Sequence, residues 1–255
     1  AATPIAFIRA IVLGYRRRGM DPAHALRHAQ IAPALLDDDG ARVTAAQMEA
    51  VSGFAMQELD DEALGWFSRR LPWGSYGMLC RASLTAPTLE VALKRWCRHH
   101  RLLTGDIVLE FGQAGDRACI RIVEHIELGD LREFCLLTTL RYLLGYASWL
   151  VDSRIALSAT TLPFAPPPHA DAYPYLLPGP LHFGAQSAGF RFDARYLALP
   201  VCRDESALQA MLQRALLLTV LQYRRDRLLV HRVGRLLAAE PAAAHTAEEL
   251  AARLN

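Results

Sequence analysis

The feature that most constrains this chain is a change of hydrophobic period. Up to Leu103 apolar residues recur every three to four positions. "DIVLEFGQAGDRACIRIVEH" then alternates, apolar at Ile107, Leu109 and Phe111 and again at Cys119 (or Ala118), Ile120 and Ile122. Successive side chains on a strand point to opposite faces, so a period of two marks a half-buried strand, whereas a period near 3.6 marks a helix face. Two alternating runs around the polar Gln113-Ala114-Gly115-Asp116 read as a β-hairpin. "DLREFCLLTTLRYLLGYASWLVDS" is apolar nearly all round, the pattern of a buried central helix. β-prone runs follow at 155–162, 180–184 and 189–193, with Pro166 to Pro168 between the first two, where no central strand can run. The class this implies is α+β, a helical N-terminal part packed with a small antiparallel sheet and followed by linker helices.

The helix ends are marked by caps. Thr3 before Pro4 and Asp21 before Pro22 each place a capping residue ahead of a proline at the first helical position. Thr44 with Gln47 has the spacing of a capping box, in which each side chain satisfies a backbone N–H of the opening turn. A helix starting near Thr88 carries Leu89, Ala92, Leu93, Trp96 and Cys97 inward. Amphipathic helices are expected at about 206–225 and about 227–239, then a linker "EPAAAHT". A second capping box, Thr246 with Glu249, opens a last short helix with Ala247, Leu250, Ala251 and Leu254 on one stripe. So short an amphipathic helix is marginal alone, which reads as a cut through a second domain.

Composition narrows the setting. With 255 residues, 52% hydrophobic and 21% charged, the chain can bury a large core in one domain or two. No apolar run approaches the roughly 20 residues that span a bilayer. The arginines of the opening segment come after its apolar stretch, the reverse of a secretory signal, so a cytoplasmic protein is expected. Cys80, Cys97, Cys119, Cys135 and Cys202 are odd in number and lack a C-x-x-C pair, which reads as buried thiols in a reducing compartment. A net charge of +2 is too small for the whole chain to bind nucleic acid, although arginines recur from Arg203 to Arg235.

Chemical motifs are sparse. His24 and His28 could share one helix face, but the Glu of H-E-x-x-H and a third ligand are missing, so no metal is expected. "LLDDDGARV" lacks ligands where a calcium loop needs them and reads as a turn. G-x-S-x-G, P-loop and G-x-G-x-x-G patterns are absent, so the chain is read as not an enzyme and no cofactor is expected. What remains is aromatic material with polar tips, suited to a core or to a small-molecule cavity. Trp73, Tyr76, Cys80, Trp96, His100 and Tyr142 are the candidate lining, and no candidate DNA-contacting residue lies in the chain. The rival reading is a small-molecule-modifying enzyme or a haem or metal sensor built on His99 or His100 with Cys97.

Three segments carry a family resemblance. "RRLPWGSYGMLCRASLTAPTLEVALKRWCRHHRLL" resembles the Gly-Ser-aromatic turn and Thr-Leu-x-x-Ala-Leu helix of AraC-type bacterial regulators of the arabinose-binding-like sensor class. "LPFAPPPHADAYPYLLPGPLHFGAQSAGFRFDARYLALPV" resembles their Pro-rich loop, Tyr, "FGA" and short strand, and "TAEELAARLN" is similar to the first helix of their first helix-turn-helix. The resemblance implies an effector-sensing and dimerisation domain over 1–203, linker helices over 204–240 and the start of a DNA-binding domain over 241–255. It implies a homodimer that meets DNA through the rest of a helix-turn-helix, whose recognition helix would follow Asn255. The family label does not imply a sugar. A lining rich in Leu, Val, Tyr and Trp suits an amphipathic or fatty-acid-like effector.

Overall fold

The structure is a computed structural model and describes residues 2–216, 226–239 and 246–254. It opens with a short strand β1 (Ala2–Pro4), helices α1 (Ile5–Arg17) and α2 (Ala23–His28), strand β2 (Arg42–Thr44) and helix α3 (Ala45–Glu58). Thr3 does not cap α1. It pairs with Val43 in the antiparallel β1–β2 ribbon, and Pro4 occupies the cap position without a side-chain bond. The Thr44 box is formed: Thr44 Oγ1 accepts from the Gln47 N–H at 3.1 Å, and Gln47 Oε1 accepts from the Thr44 N–H at 3.0 Å. The Asp-rich loop is a turn, in which Asp38 Oδ1 accepts from the Gly40 N–H.

Helices α4 (Ser75–Leu84) and α5 (Leu89–Leu103) lead into the hairpin of β3 (Ile107–Ala114) and β4 (Arg117–Glu124). The hairpin turn is tighter than expected, with Gly115 at φ +58 supplying the left-handed residue and the strands extending to Ala114 and Arg117. The inward residue of β4 is Ala118, fully buried, while Cys119 is half-buried. Helix α6 (Arg132–Leu150) is buried on nearly every side, as its sequence requires.

Strand β5 (Leu157–Thr161), the short helix α7 (Tyr173–Leu176), β6 (Leu181–His182) and β7 (Gly189–Asp193) complete the sheet. Its order is β3-β4-β7-β5-β6. All neighbours are antiparallel except β5 and β6, which run parallel over two residue pairs because the Pro-rich loop carries the chain back to the start of β5 before β6 begins. The last strand, β7, inserts between the hairpin and β5. Helix α5 lies against β3 and α6, and one apolar core joins helices and sheet.

Beyond the sheet, α8 (Glu205–Leu212) is shorter than the helix expected from 206, a turn follows to Leu216, and 217–225 lie outside the described residues. Helix α9 (Arg227–Ala239) begins beside the sheet end, where the Tyr196 hydroxyl donates to Asp226 at 2.8 Å. Helix α10 (Ala247–Leu254) carries the second capping box, with Thr246 Oγ1 accepting from the Glu249 N–H at 3.2 Å. Cys80, Cys97 and Cys135 are buried, but Cys202 is exposed, against the expectation of five buried thiols. Among the described residues no helix is long and apolar enough to cross a membrane.

Candidate functional site

A loop of left-handed turns builds the floor of a cavity. Asp60, Leu64 and Gly65 have φ of 45, 49 and 82, so the chain doubles back twice between α3 and α4. Gly14 of α1 is pressed on this loop so closely that a Cβ there would collide with the Leu64 carbonyl. The turns point two adjacent acids inward. Asp61, fully buried, accepts from the N–H groups of Ala63, Gly65 and Leu71 at 3.1, 3.0 and 3.0 Å and from Arg18 Nη2 at 2.9 Å. Glu62 faces the other way. Its oxygens accept from the Gly74 N–H at 2.8 Å and the Tyr76 N–H at 2.7 Å, where α4 begins. Burial pushes its pKa above the usual carboxylate range, although the two backbone bonds pull the other way.

Above that floor lies a cavity of about 470 Å³. It is bounded by α3, α4, α5, α6 and the segment from Leu212 to Leu216, and its size is that of small-molecule sites. Tyr76 is the hub of its aromatic wall. The Tyr76 ring centroid lies 6.4 Å from that of Trp96, 6.2 Å from that of His100 and 5.5 Å from that of Tyr142. Trp73 stands half-exposed at the rim, and Trp66 and Phe54 add two more rings. Of the six side chains expected from sequence, Trp73, Tyr76, Trp96, His100 and Tyr142 line this cavity. Cys80 is one layer behind: its Sγ is 3.6 Å from the Tyr142 hydroxyl, and its carbonyl accepts from Tyr146 at 2.6 Å.

The cavity wall holds buried polar atoms without hydrogen-bond partners. Trp66 Nε1, Trp96 Nε1 and both ring nitrogens of His100 are among them. A buried group in that state loses its hydration for nothing, so such atoms call for an explanation. His100 is fully buried, and desolvation lowers its pKa from 6.5 to about 4, so it is a neutral imidazole with one donor and one acceptor. Burial likewise pushes the Cys80 and Cys97 thiols up to about 12.

The chain leaving the sheet supplies the cover. Leu212 Cδ1 sits 3.4 Å from where a Gly77 Cβ would stand, and Leu216 Cδ1 sits 3.7 Å from the same point on Gly53. Arg81 pairs with Glu205 at one end of α8, and Arg214 pairs with Glu49 at 2.8 Å beyond the other. Glu62, Trp66 and this cover were not among the residues nominated from sequence. The cue for Glu62 was an acid pair, Asp61-Glu62, leading straight into "ALGWF".

The other histidine pair has a packing role. His24 and His28 both lie 4.7 Å from the Phe54 ring, one edge-on and one stacked, and His24 also meets Glu58 at 3.2 Å. Among the described residues no group of three or more His, Cys, Asp and Glu converges as metal ligands would, around Cys97, His99 and His100 or elsewhere.

An α+β domain with an aromatic cavity closed by its own outgoing chain has the build of a ligand-sensing domain. Residues 19–201 match the family described as the arabinose-binding domain of AraC transcription regulator, N-terminal, and the chain belongs to that family. It is 24% identical over 255 residues to an ornithine utilization regulator of Pseudomonas aeruginosa, covering 99% of this chain and 75% of that protein. It is also similar to the crystal structure of the transcriptional regulator CdpR from Pseudomonas aeruginosa, at 17% identity and a TM-score of 0.42, over 90% of this chain and 73% of that one. The chain thus carries the N-terminal, effector-binding domain of AraC-type regulators.

Proposed function

We propose that the cavity under Tyr76 is the effector site, and that its occupant sets the position of α8. The observation that carries this is the origin of the cover: Leu212 and Leu216 belong to the first turns of the chain leaving the sensor, so the contents of the cavity touch that chain directly. An occupant that fits under the cover favours one seating of α8, and one that needs more room favours another, which is a population shift between two arrangements. On this reading 1–203 is the sensing and dimerisation domain, 204–240 the linker and 241–255 the opening of the DNA-binding domain. The sensor works as a homodimer in the cytoplasm, without a cofactor, and presents helix-turn-helix elements of the whole protein to DNA. The effector is an amphipathic small molecule, because the wall is mostly ring and aliphatic surface with a few polar atoms left to satisfy. A small metabolite is in keeping with the relative named for ornithine utilization.

Native mass spectrometry tests the proposal. The expected result is a dimer carrying an adduct that is lost on denaturation and missing from a Gly53→Leu variant, whose side chain would occupy the cavity. An adduct retained by that variant would place the effector elsewhere, and a monomer at micromolar concentration would overturn the dimer.

A further inference from the structure

The charge on the cavity wall indicates which head group it accepts. Among the described lining residues, Glu49 and Arg214 neutralise each other at the mouth, His28 stacks on Phe54, and His100 is buried and neutral. Glu62 is left as the one carboxylate without a counter-ion among them. It is 8% exposed, and its hydrogen bonds are to two backbone N–H groups, one on each oxygen, which leaves lone pairs on both. Directly beside it runs the aromatic wall. Trp96 continues that wall from Tyr76 to Tyr142, with centroids 6.0 Å apart from the latter.

A buried carboxylate and the faces of aromatic rings favour the same thing, a positive charge. A ligand carboxylate in this space would face a like charge at low dielectric, and the guanidinium at the mouth, Arg214, is already paired with Glu49, so a fatty acid is the wrong class. We propose that the cavity selects an organic cation, an ammonium group on an apolar body, with Glu62 as its counter-charge and Tyr76, Trp96 and Tyr142 as its ring contacts. This rests on the reading of the cavity as the effector site. The ammonium head would take the open lone pairs of Glu62, while the apolar body would lie along the rings toward Leu212 and Leu216.

The test uses three probes of one shape, phenethylamine, phenethyl alcohol and hydrocinnamate, titrated into the purified chain by calorimetry and intrinsic tryptophan fluorescence at neutral pH. The amine should bind about tenfold or more tighter than the alcohol, with the acid weakest. Glu62→Gln keeps an acceptor for the start of α4 and removes the charge. It should bring the amine to the affinity of the alcohol while leaving the alcohol unchanged, the second result showing that the cavity still forms. Trp73→Ala removes a further ring from the cavity rim and should weaken the amine a few-fold more than the alcohol, which tests the ring contribution if Glu62→Gln does not fold. A wild-type preference for the acid or the alcohol would overturn the cation while leaving the cavity as the effector site. Failure of all three probes to bind at millimolar concentration would overturn both. Unchanged amine binding in Glu62→Gln would also sink the assignment.

Discussion

Asp61 and Glu62 are neighbours in sequence, both acidic and both buried, yet they are in opposite states. Asp61 has three backbone donors and the Arg18 guanidinium, and is fully satisfied. Glu62 has two backbone donors, no side-chain cation among the described residues, and a cavity in front of it. The loop geometry that turns one acid into the core turns the next one out of it. The difference separates a charge used to hold the fold from a charge kept available. Burying a carboxylate without a counter-ion is unfavourable, so a fold retains that arrangement where something else supplies the missing contact.

Substitutions at the two acids should therefore behave differently, and the largest effect belongs to Asp61. Asp61→Asn leaves Arg18 facing a neutral amide and strands a backbone donor of the loop, and should lower stability by about 3–5 kcal/mol in denaturant unfolding. A small loss would mean that the loop is held by its backbone alone. The next largest effect concerns His100. Its folded pKa is about 4 against 6.5 for the free group, so the unfolded chain binds more protons between those values. Stability is then full above pH 6.5 and falls on acidification toward pH 4, by on the order of 3 kcal/mol in total. His100→Gln should flatten that part of the profile, measured as unfolding midpoints across pH.

Glu62→Gln should cost about 1 kcal/mol or less in the same unfolding assay, since one backbone N–H keeps its acceptor and the desolvation of a charge is relieved. A loss as large as that of Asp61→Asn would erase the distinction and make Glu62 structural. The smallest effect is at the mouth. Glu49→Gln should leave the unfolding midpoint unchanged, because the Arg214 pair is largely solvent-screened. It should, however, raise amide hydrogen exchange over 205–216, where the cover is tethered.

The sequence showed the fold where the signal was local. The alternation through Ile107 and Ile122, the Thr44–Gln47 box and the apolar face of α5 each need only a few consecutive residues to be recognised. Tyr76, Trp96, His100 and Tyr142 could be nominated because each stands on a recognisable helix near the Gly-Ser turn. That the helices bring them together was not visible before packing. Two further things were hidden because they depend on long-range placement. Nothing local tells β7 to insert between β4 and β5, which their registers alone reveal. Nor does any periodicity announce that left-handed residues at 60, 64 and 65 aim adjacent acids in opposite directions. The shortening of α8 belongs with these, since its helical pattern continues in sequence past the point where the chain turns at Gln213 to cover the cavity.

The seating of Leu212 on Gly77 and Leu216 over Gly53 works in both directions. If an occupant stabilises one placement of the cover, then holding the cover in that placement must tighten the grip on the occupant by the same factor, as thermodynamic coupling requires. On the proposed reading, whatever load the outgoing chain bears would be felt in the cavity as a change in affinity. The sensor's apparent sensitivity to its effector would then be a property of the assembled regulator, set partly by what the far end is holding.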